Sequence, residues 1–347
     1  MPFELSRVTA VWKSYPLRVA VIAIAWLAFI SAAHYGLNQE HEQRPVVRMG
    51  YMPVITNLAA PILDYVSLNE KSPVRFRALK FASFAEMAEA LRNDEIQAAF
   101  IIAPLSIVLR QQGEDVKVVY IGNRHESTLV ARKNLHAHSL EDLAGRTVAV
   151  PMRYSGHNLV LSKLLEDSGL EKKVNVVEMN PPDMASALAA GSLDAYFVGE
   201  PFAAQTLKNG ASNLLFYVEQ VSPGFICNLL LVKNRYIEKH PELVRSLVRG
   251  AVRSGVWARN NEDEASAIAS RYWGQPVDLV KYALETPKDR IVFDQYTPKE
   301  DELQHIADLM VHFNLLQTSS IKGLVEDRFA REVDVGGIGG LETVLSR

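Results

Sequence analysis

The strongest constraint in this sequence is an internal repeat. "ALRNDEIQAAFIIAPLS" (Ala90 to Ser106) lies over "ALAAGSLDAYFVGEPFA" (Ala187 to Ala203), with Leu91 on Leu188, Ala98 on Ala195, Phe100 on Phe197 and Pro104 on Pro201. These stretches belong to two longer series. Apolar, β-rich runs begin at Val46, Val74, Gln97 and Val116, and again at Thr147, Val174, Asp194 and Asn213, about 100 residues apart. Between them stand segments such as "SFAEMAEALRN" and "NLVLSKLLEDSG", whose apolar residues recur at the i, i+3, i+4 spacing of one helix face. Strands that alternate with crossover helices make a mainly parallel sheet with helices on its faces. The expectation is an α/β fold of two lobes, each such a sheet flanked by helices.

Two further runs, "TLVARKN" (from Thr128) and "NLLLVKN" (from Asn228), resemble each other and stand at the two ends of the second series. They read as paired segments that carry the chain into and out of the second lobe. Lobe one is expected over 46–127 plus 235–333, and lobe two over 128–234. After residue 234 the pattern turns helical, and Pro241 and Glu242 suit a helix's first turn. "DVGGIGGLETVLSR" (334–347) has no Gly-Lys-Ser/Thr and reads as a flexible tail.

In such sheets ligands sit beyond the carboxyl ends of the strands, near helix N-termini. The loops that follow the strands are therefore the candidate site, across a cleft between the lobes. Lobe one offers Thr56 and Asn57, Lys80, and Pro104; its "GNRHES" (Gly122 to Ser127) is a further such loop. Lobe two offers "MRYSGHN" (Met152 to Asn158): Ser155 as a helix cap, Arg153 as a two-pronged donor, His157 as donor or acceptor. Tyr51, Phe81, Tyr154 and Phe202 are either an apolar wall or core. Glu200 stands where the first copy has Ala103, so the acid is an addition to one copy. It either faces the ligand or complements the dipole of the helix that Pro201 opens. His136 and His138 are too few for a metal site and read as surface. No metal, cofactor or catalytic residue is expected.

The N-terminus differs in kind. "VAVIAIAWLAFISAA" (Val19 to Ala33) is uncharged and apolar over about 15 residues, preceded by Arg7, Lys13 and Arg18. A spanning helix needs roughly 17 to 25 residues. Residues 19–36 are read as a signal sequence or a membrane anchor, 1–18 as a cytoplasmic basic segment, and 37–45 as a linker. Export follows from either reading. The formal charge of −3 and the lack of a basic patch with interleaved aromatics argue against nucleic acid. A single cysteine, Cys227, lies in the apolar "GFICNLLLV", which excludes an intrachain disulfide and suits a packed core thiol.

"GYMPVITNLAAPIL", "ALRNDEIQAAF", "SLEDLAGRTVAVP", "ALAAGSLDAYFVGEPF" and "HPELVRSLVRGAVRSGVWA" together resemble the nitrate/sulfonate/taurine family of ABC-transporter solute-binding proteins, from about Val46 to about Val333. The resemblance implies a type II periplasmic-binding fold that closes by a hinge on one small polar or oxyanion-type solute. It implies a permease and its ATPase as partners, and a periplasmic place, free or anchored in the inner membrane. "SGHN" is similar to the segment whose histidine contacts ligand in nitrate and bicarbonate binders, which gives His157 that role. "GEPF" is similar to the segment where a lysine accompanies nitrate and a glutamate bicarbonate, so Glu200 argues against plain nitrate. Phe202 stands where many relatives have tryptophan. Two alternatives share the fold. One is a tethered ligand sensor. The other is a pyrimidine-synthase-like enzyme of thiamin biosynthesis, with Lys80 and His157 in its lysine and histidine roles; export and the missing cysteine cluster argue against it.

Overall fold

A computed structural model describes residues 15–38 and 43–346, in two compact units, Met1–Arg44 and Pro45–Arg347. Residues 1–14 of the expected basic segment and 39–42 of the linker lie outside the described residues. In the first unit, α1 (Tyr15–Asn38) is longer than the apolar core read from sequence. Its stretch Tyr15–Gly36, at 22 residues, is long and apolar enough to cross a membrane, because Tyr15, Leu17 and Tyr35 extend the run at both ends.

The second unit holds two five-stranded sheets. The first contains β1 (Val46–Tyr51), β2 (Arg75–Lys80), β3 (Ala98–Ile102) and β4 (Val116–Ile121); β5 (Ser127–Arg132) then crosses to the second. The second continues with β6 (Thr147–Val150), β7 (Asn175–Glu178), β8 (Ala195–Gly199) and β9 (Ser212–Tyr217), and β10 (Asn228–Lys233) crosses back. The strand orders are β2-β1-β3-β10-β4 and β7-β6-β8-β5-β9, so equivalent strands of the repeat hold equivalent places. β1 runs parallel to β2 and β3, and β6 to β7 and β8. The antiparallel members are the crossing strands: β5 between β8 and β9, β10 between β3 and β4.

The expected partition is corrected here. β10 belongs to the first sheet rather than to a second lobe ending at residue 234. All six β10 residues are buried, so it needs neighbours on both edges and cover on both faces, which only a central place supplies.

Helices cover the sheets. The crossovers of lobe one are α2 (Ala59–Ser67), α3 (Phe84–Arg92) and α4 (Ala103–Gln111). Those of lobe two are α5 (Gly156–Asp167), α6 (Pro181–Ala189) and α7 (Phe202–Lys208). After α8 (Val218–Val221) and β10 come α9 (Asn234–Lys239), α10 (Pro241–Asn260), α11 (Glu262–Trp273), α12 (Val277–Glu285), α13 (Glu300–His312) and α14 (Arg328–Arg331). Pro241 opens α10, whose Val244, Leu247, Val248, Ala251 and Val252 form one buried stripe on lobe one's core.

The tail beyond residue 333 is docked rather than loose. Val344 is fully buried in lobe one's core cluster, and Leu341 and Leu345 pack against it. Arg253 of α10 donates to the carbonyls of Asp334 (2.7 Å) and Thr343 (2.9 Å). Sequence composition missed this because the paired glycines only permit the turn; the two leucines and the valine beyond them hold it.

Candidate functional site

The loops that leave the parallel strands meet at the junction of the lobes. After β1 the chain makes a short 3-10 turn, Ile55–Asn57, wholly buried. Its Ile55 N–H donates to the Glu200 carbonyl at 2.8 Å, and Val54 packs into the lobe-two core cluster beside Phe202. Asn123, on the first crossing segment, donates from Nδ2 to the Ile55 carbonyl at 3.1 Å. Asn57 accepts from Asn228 Nδ2 at 2.8 Å and donates to the Met52 carbonyl at 2.9 Å. Gly122 lies so close that a Cβ there would stand 2.1 Å from the Thr56 carbonyl oxygen. Only glycine fits that approach.

From lobe two, Ser155 caps α5 as expected, accepting the Asn158 N–H at 3.1 Å. The cap delivers His157 into the interior. Its ring lies edge-on to Phe197 and Phe225, with centroids 5.1 and 5.5 Å away, and Nε2 stands 2.9 Å from Ser127 Oγ. Burial in this aromatic box lowers its pKa to about 3, so the ring is neutral at physiological pH. Ser127 and His157 have the spacing of a nucleophile and its base. An imidazole this weakly basic does not activate a serine near neutrality.

Glu200 is 2% exposed and its carboxylate is spoken for. Oε1 accepts from Thr128 Oγ1 at 2.7 Å and Oε2 accepts the Ala204 N–H at 2.7 Å, which caps α7. Arg290 stands 3.6 Å from Oε1. Burial pushes the carboxyl's pKa up, against the pull of Arg290, Thr128 and the Ala204 N–H. Two expectations about this turn are corrected. Pro201 is the N-cap residue and α7 begins at Phe202, whereas α4 begins at Ala103 itself with Pro104 in its first turn. The turns of the two copies therefore differ, and Ala103 is no guide to what Glu200 does.

The other candidates are spread more widely. Thr56 is buried at the junction, and Pro104 is buried in α4. Tyr154 is half-buried and packs on lobe one's second core cluster, as does Phe81. Tyr51 and Phe202 are 1% and 2% exposed in core clusters. Lys80 is exposed at the end of β2, with Nζ 3.4 Å from the Trp273 carbonyl. Arg153 turns outward, its Nε 2.8 Å from Glu178 Oε1, and its backbone N–H donates to the same carboxylate at 2.9 Å. His157, Ser155, Thr56, Asn57 and Glu200 are thus gathered at buried positions of the junction loops, while Lys80 and Arg153 stay on the surface.

Sequence reasoning passed over Glu126, Thr128 and Arg290. Arg290 donates to the Ser127 carbonyl at 2.7 Å, to Thr128 Oγ1 at 3.2 Å and to Glu219 at 3.0 Å, with its guanidinium 4.2 Å from the Tyr217 ring centroid. Nothing near it in sequence marks it. Glu126 and Ser127 lie in "GNRHES", a loop already singled out by its position. Three buried side-chain atoms here lack partners: Thr56 Oγ1, Asn123 Oδ1 and His157 Nδ1. Among the described residues no group of three or more His, Cys, Asp or Glu is placed to hold a metal ion.

Comparison with known proteins fits this architecture. The NMT1-like family profile matches residues 40–272. The chain belongs to the NMT1-like family. This NMT1-like chain is 23% identical over 328 residues to a putative aliphatic sulfonates-binding protein of Bacillus subtilis (strain 168), covering 90% of its own length and 95% of that protein. It is 25% identical over 277 residues to 2'-hydroxybiphenyl-2-sulfinate desulfinase of Rhodococcus erythropolis, covering 76% of itself and 75% of the desulfinase. Its fold matches the zinc-bound ligand-binding component of an ABC-type import system from Staphylococcus aureus, with a TM-score of 0.76 at 21% identity, over 84% of this chain and 100% of that one. The NMT1-like scaffold is thus shared by solute binders and by an enzyme, and the site has to distinguish them.

Proposed function

We propose that this chain is the extracytoplasmic solute-binding component of an ABC importer. It takes a small polar solute of the sulfonate, taurine, nitrate or bicarbonate class between its lobes by hinge closure and delivers it to a permease and its ATPase. The observation that supports this most is the set of unpaired buried polar atoms on junction loops of both lobes: Thr56 Oγ1, Asn123 Oδ1 and His157 Nδ1. Each costs about 1–3 kcal/mol while unmet; a solute's oxygens can accept from Thr56 Oγ1, and an O–H or N–H on the solute can donate to Asn123 Oδ1. A neutral His157 can meet a solute as a donor or as an acceptor. Closure is favoured only by what the solute gains in the closed form. α1 suits an anchor in the inner membrane with the lobes on the periplasmic side; an anchor of this kind also fits a ligand sensor.

Thermal-shift screening of the full chain in detergent against taurine, short alkanesulfonates, nitrate, bicarbonate with calcium, and pyrimidines tests the proposal. One class should raise the unfolding midpoint, and His157→Ala should weaken its calorimetric affinity at least tenfold, about 1.4 kcal/mol. A screen in which no class moves the midpoint overturns it. Sequencing the N-terminus of the mature chain and extracting membranes at high pH test the anchor. Loss of solute uptake in cells without the chain separates transport from sensing.

A further inference from the structure

Glu126 stands just before β5, on the first crossing segment, with no solvent exposure. Its Oε2 accepts the Glu200 N–H at 2.8 Å, and its Oε1 is 3.2 Å from Ser127 Oγ. Ser127 Oγ is in turn 2.9 Å from His157 Nε2. The remaining ring nitrogen, Nδ1, is buried and unpartnered. A carboxyl, a hydroxyl and an imidazole therefore form one line from the first crossing segment to His157.

A serine hydroxyl has one proton to give. When Glu126 is ionised, Oε1 can only accept, so Ser127 donates to it. Ser127 Oγ then accepts from a protonated Nε2, and Nδ1 carries a bare lone pair. When Glu126 holds a proton on Oε1, it donates to Ser127, whose own proton turns to Nε2. The ring proton then sits on Nδ1. One proton is gained at the carboxyl, and the imidazole stays neutral while its proton changes nitrogen.

We propose that Glu126 determines specificity at the solute site: its protonation, relayed through Ser127, sets whether His157 Nδ1 meets the solute as donor or as acceptor. This rests on the reading that His157 lines that site. The surroundings of Glu126 put the switch within reach. Burial, the largest influence, pushes its pKa up to about 7, and the Glu200 carboxylate pushes the same way. The Cys227 thiol on the second crossing segment, the Glu200 N–H and Arg290 pull it down, and Glu219 stands behind Arg290. His157, held down at about 3, stays neutral on both sides of the switch. Below the Glu126 pKa, Nδ1–H suits an oxyanion that only accepts. Above it, bare Nδ1 suits a solute that donates an N–H or O–H.

The test is nitrogen NMR of the full chain in detergent micelles, with 15N-labelled histidine, from about pH 5 to about pH 9. His157 should pass from the Nδ1–H to the Nε2–H tautomer with a midpoint near 7. Glu126→Gln, whose amide always donates to Ser127, should keep Nδ1–H throughout. Ser127→Ala should remove the pH response. A single His157 tautomer across the range in the unaltered chain overturns the proposal, whether or not either variant folds. No solute is needed, so a failed solute screen and a failed tautomer switch are separate results.

Discussion

Arg290 sits in the loop between α12 and α13, yet its guanidinium reaches Ser127, Thr128, Glu200 and Glu219. Removing one partner of a buried ion pair leaves the others' charge without compensation, a loss of about 3–5 kcal/mol. Arg290→Ala should therefore lower the urea midpoint steeply, with Arg290→Lys restoring only part, since an ammonium lacks the flat fork that spans these acceptors. Glu200→Ala should act on stability in the same measurement, because its oxygens serve Thr128 and α7. Two buried groups set opposite pH slopes. His157 binds a proton at about 6.5 when unfolded and at about 3 when folded, so stability falls as pH drops through that window, by on the order of 5 kcal/mol. Glu126 has an ordinary value of 4.5 and a folded one of about 7, so its share of stability is present below 4.5 and lost as pH rises to 7, by roughly 3 kcal/mol. Urea midpoints should show Glu126→Gln more stable than the parent at pH 8, with the gap closing near pH 4.5. No single-residue signal in the sequence announces any of this; burial creates both shifts.

At the scale of elements, the C-terminal turn and the crossing strands give sharper tests. Deleting residues 341–347 removes Val344 from the core and the Thr343 carbonyl from Arg253. Burial of a valine is worth about 1.5–3 kcal/mol, and a buried guanidinium left short of acceptors adds to the loss. The truncated chain should unfold several degrees lower in calorimetry, and a tail free in solution would leave the midpoint unchanged. Gly122→Ala sets a methyl against backbone at Thr56, which no side-chain rotation relieves. It should separate the β1 loop from the first crossing segment and weaken solute binding more than it lowers stability, measured by calorimetry beside urea unfolding. The element list was legible beforehand because apolar runs of period two and helix faces of period 3.6 are local patterns. The helix start after β8 was not, because two similar sequences cap their helices differently.

Across the whole molecule, the lobes touch through apolar and polar contacts on several sides of the junction. Leu159 of lobe two packs in lobe one's second cluster, and Val54 of lobe one in lobe two's. At the rim, His312 lies 2.9 Å from Glu166, and Lys208 pairs with Asp278. Exposed pairs are worth about 0–1 kcal/mol each, so they add little beside the buried contacts. The sequence by itself determined the duplicated strand–helix plan and the apolar N-terminal helix. Both follow from local patterns of apolar residues. Only the tertiary structure decided which sheet each crossing strand joins, where Glu200 spends its charge, and that Arg290 and Glu126 lie at the junction. Those depend on contacts between residues far apart in the chain, whose energies arise from burial and pairing that no short stretch contains.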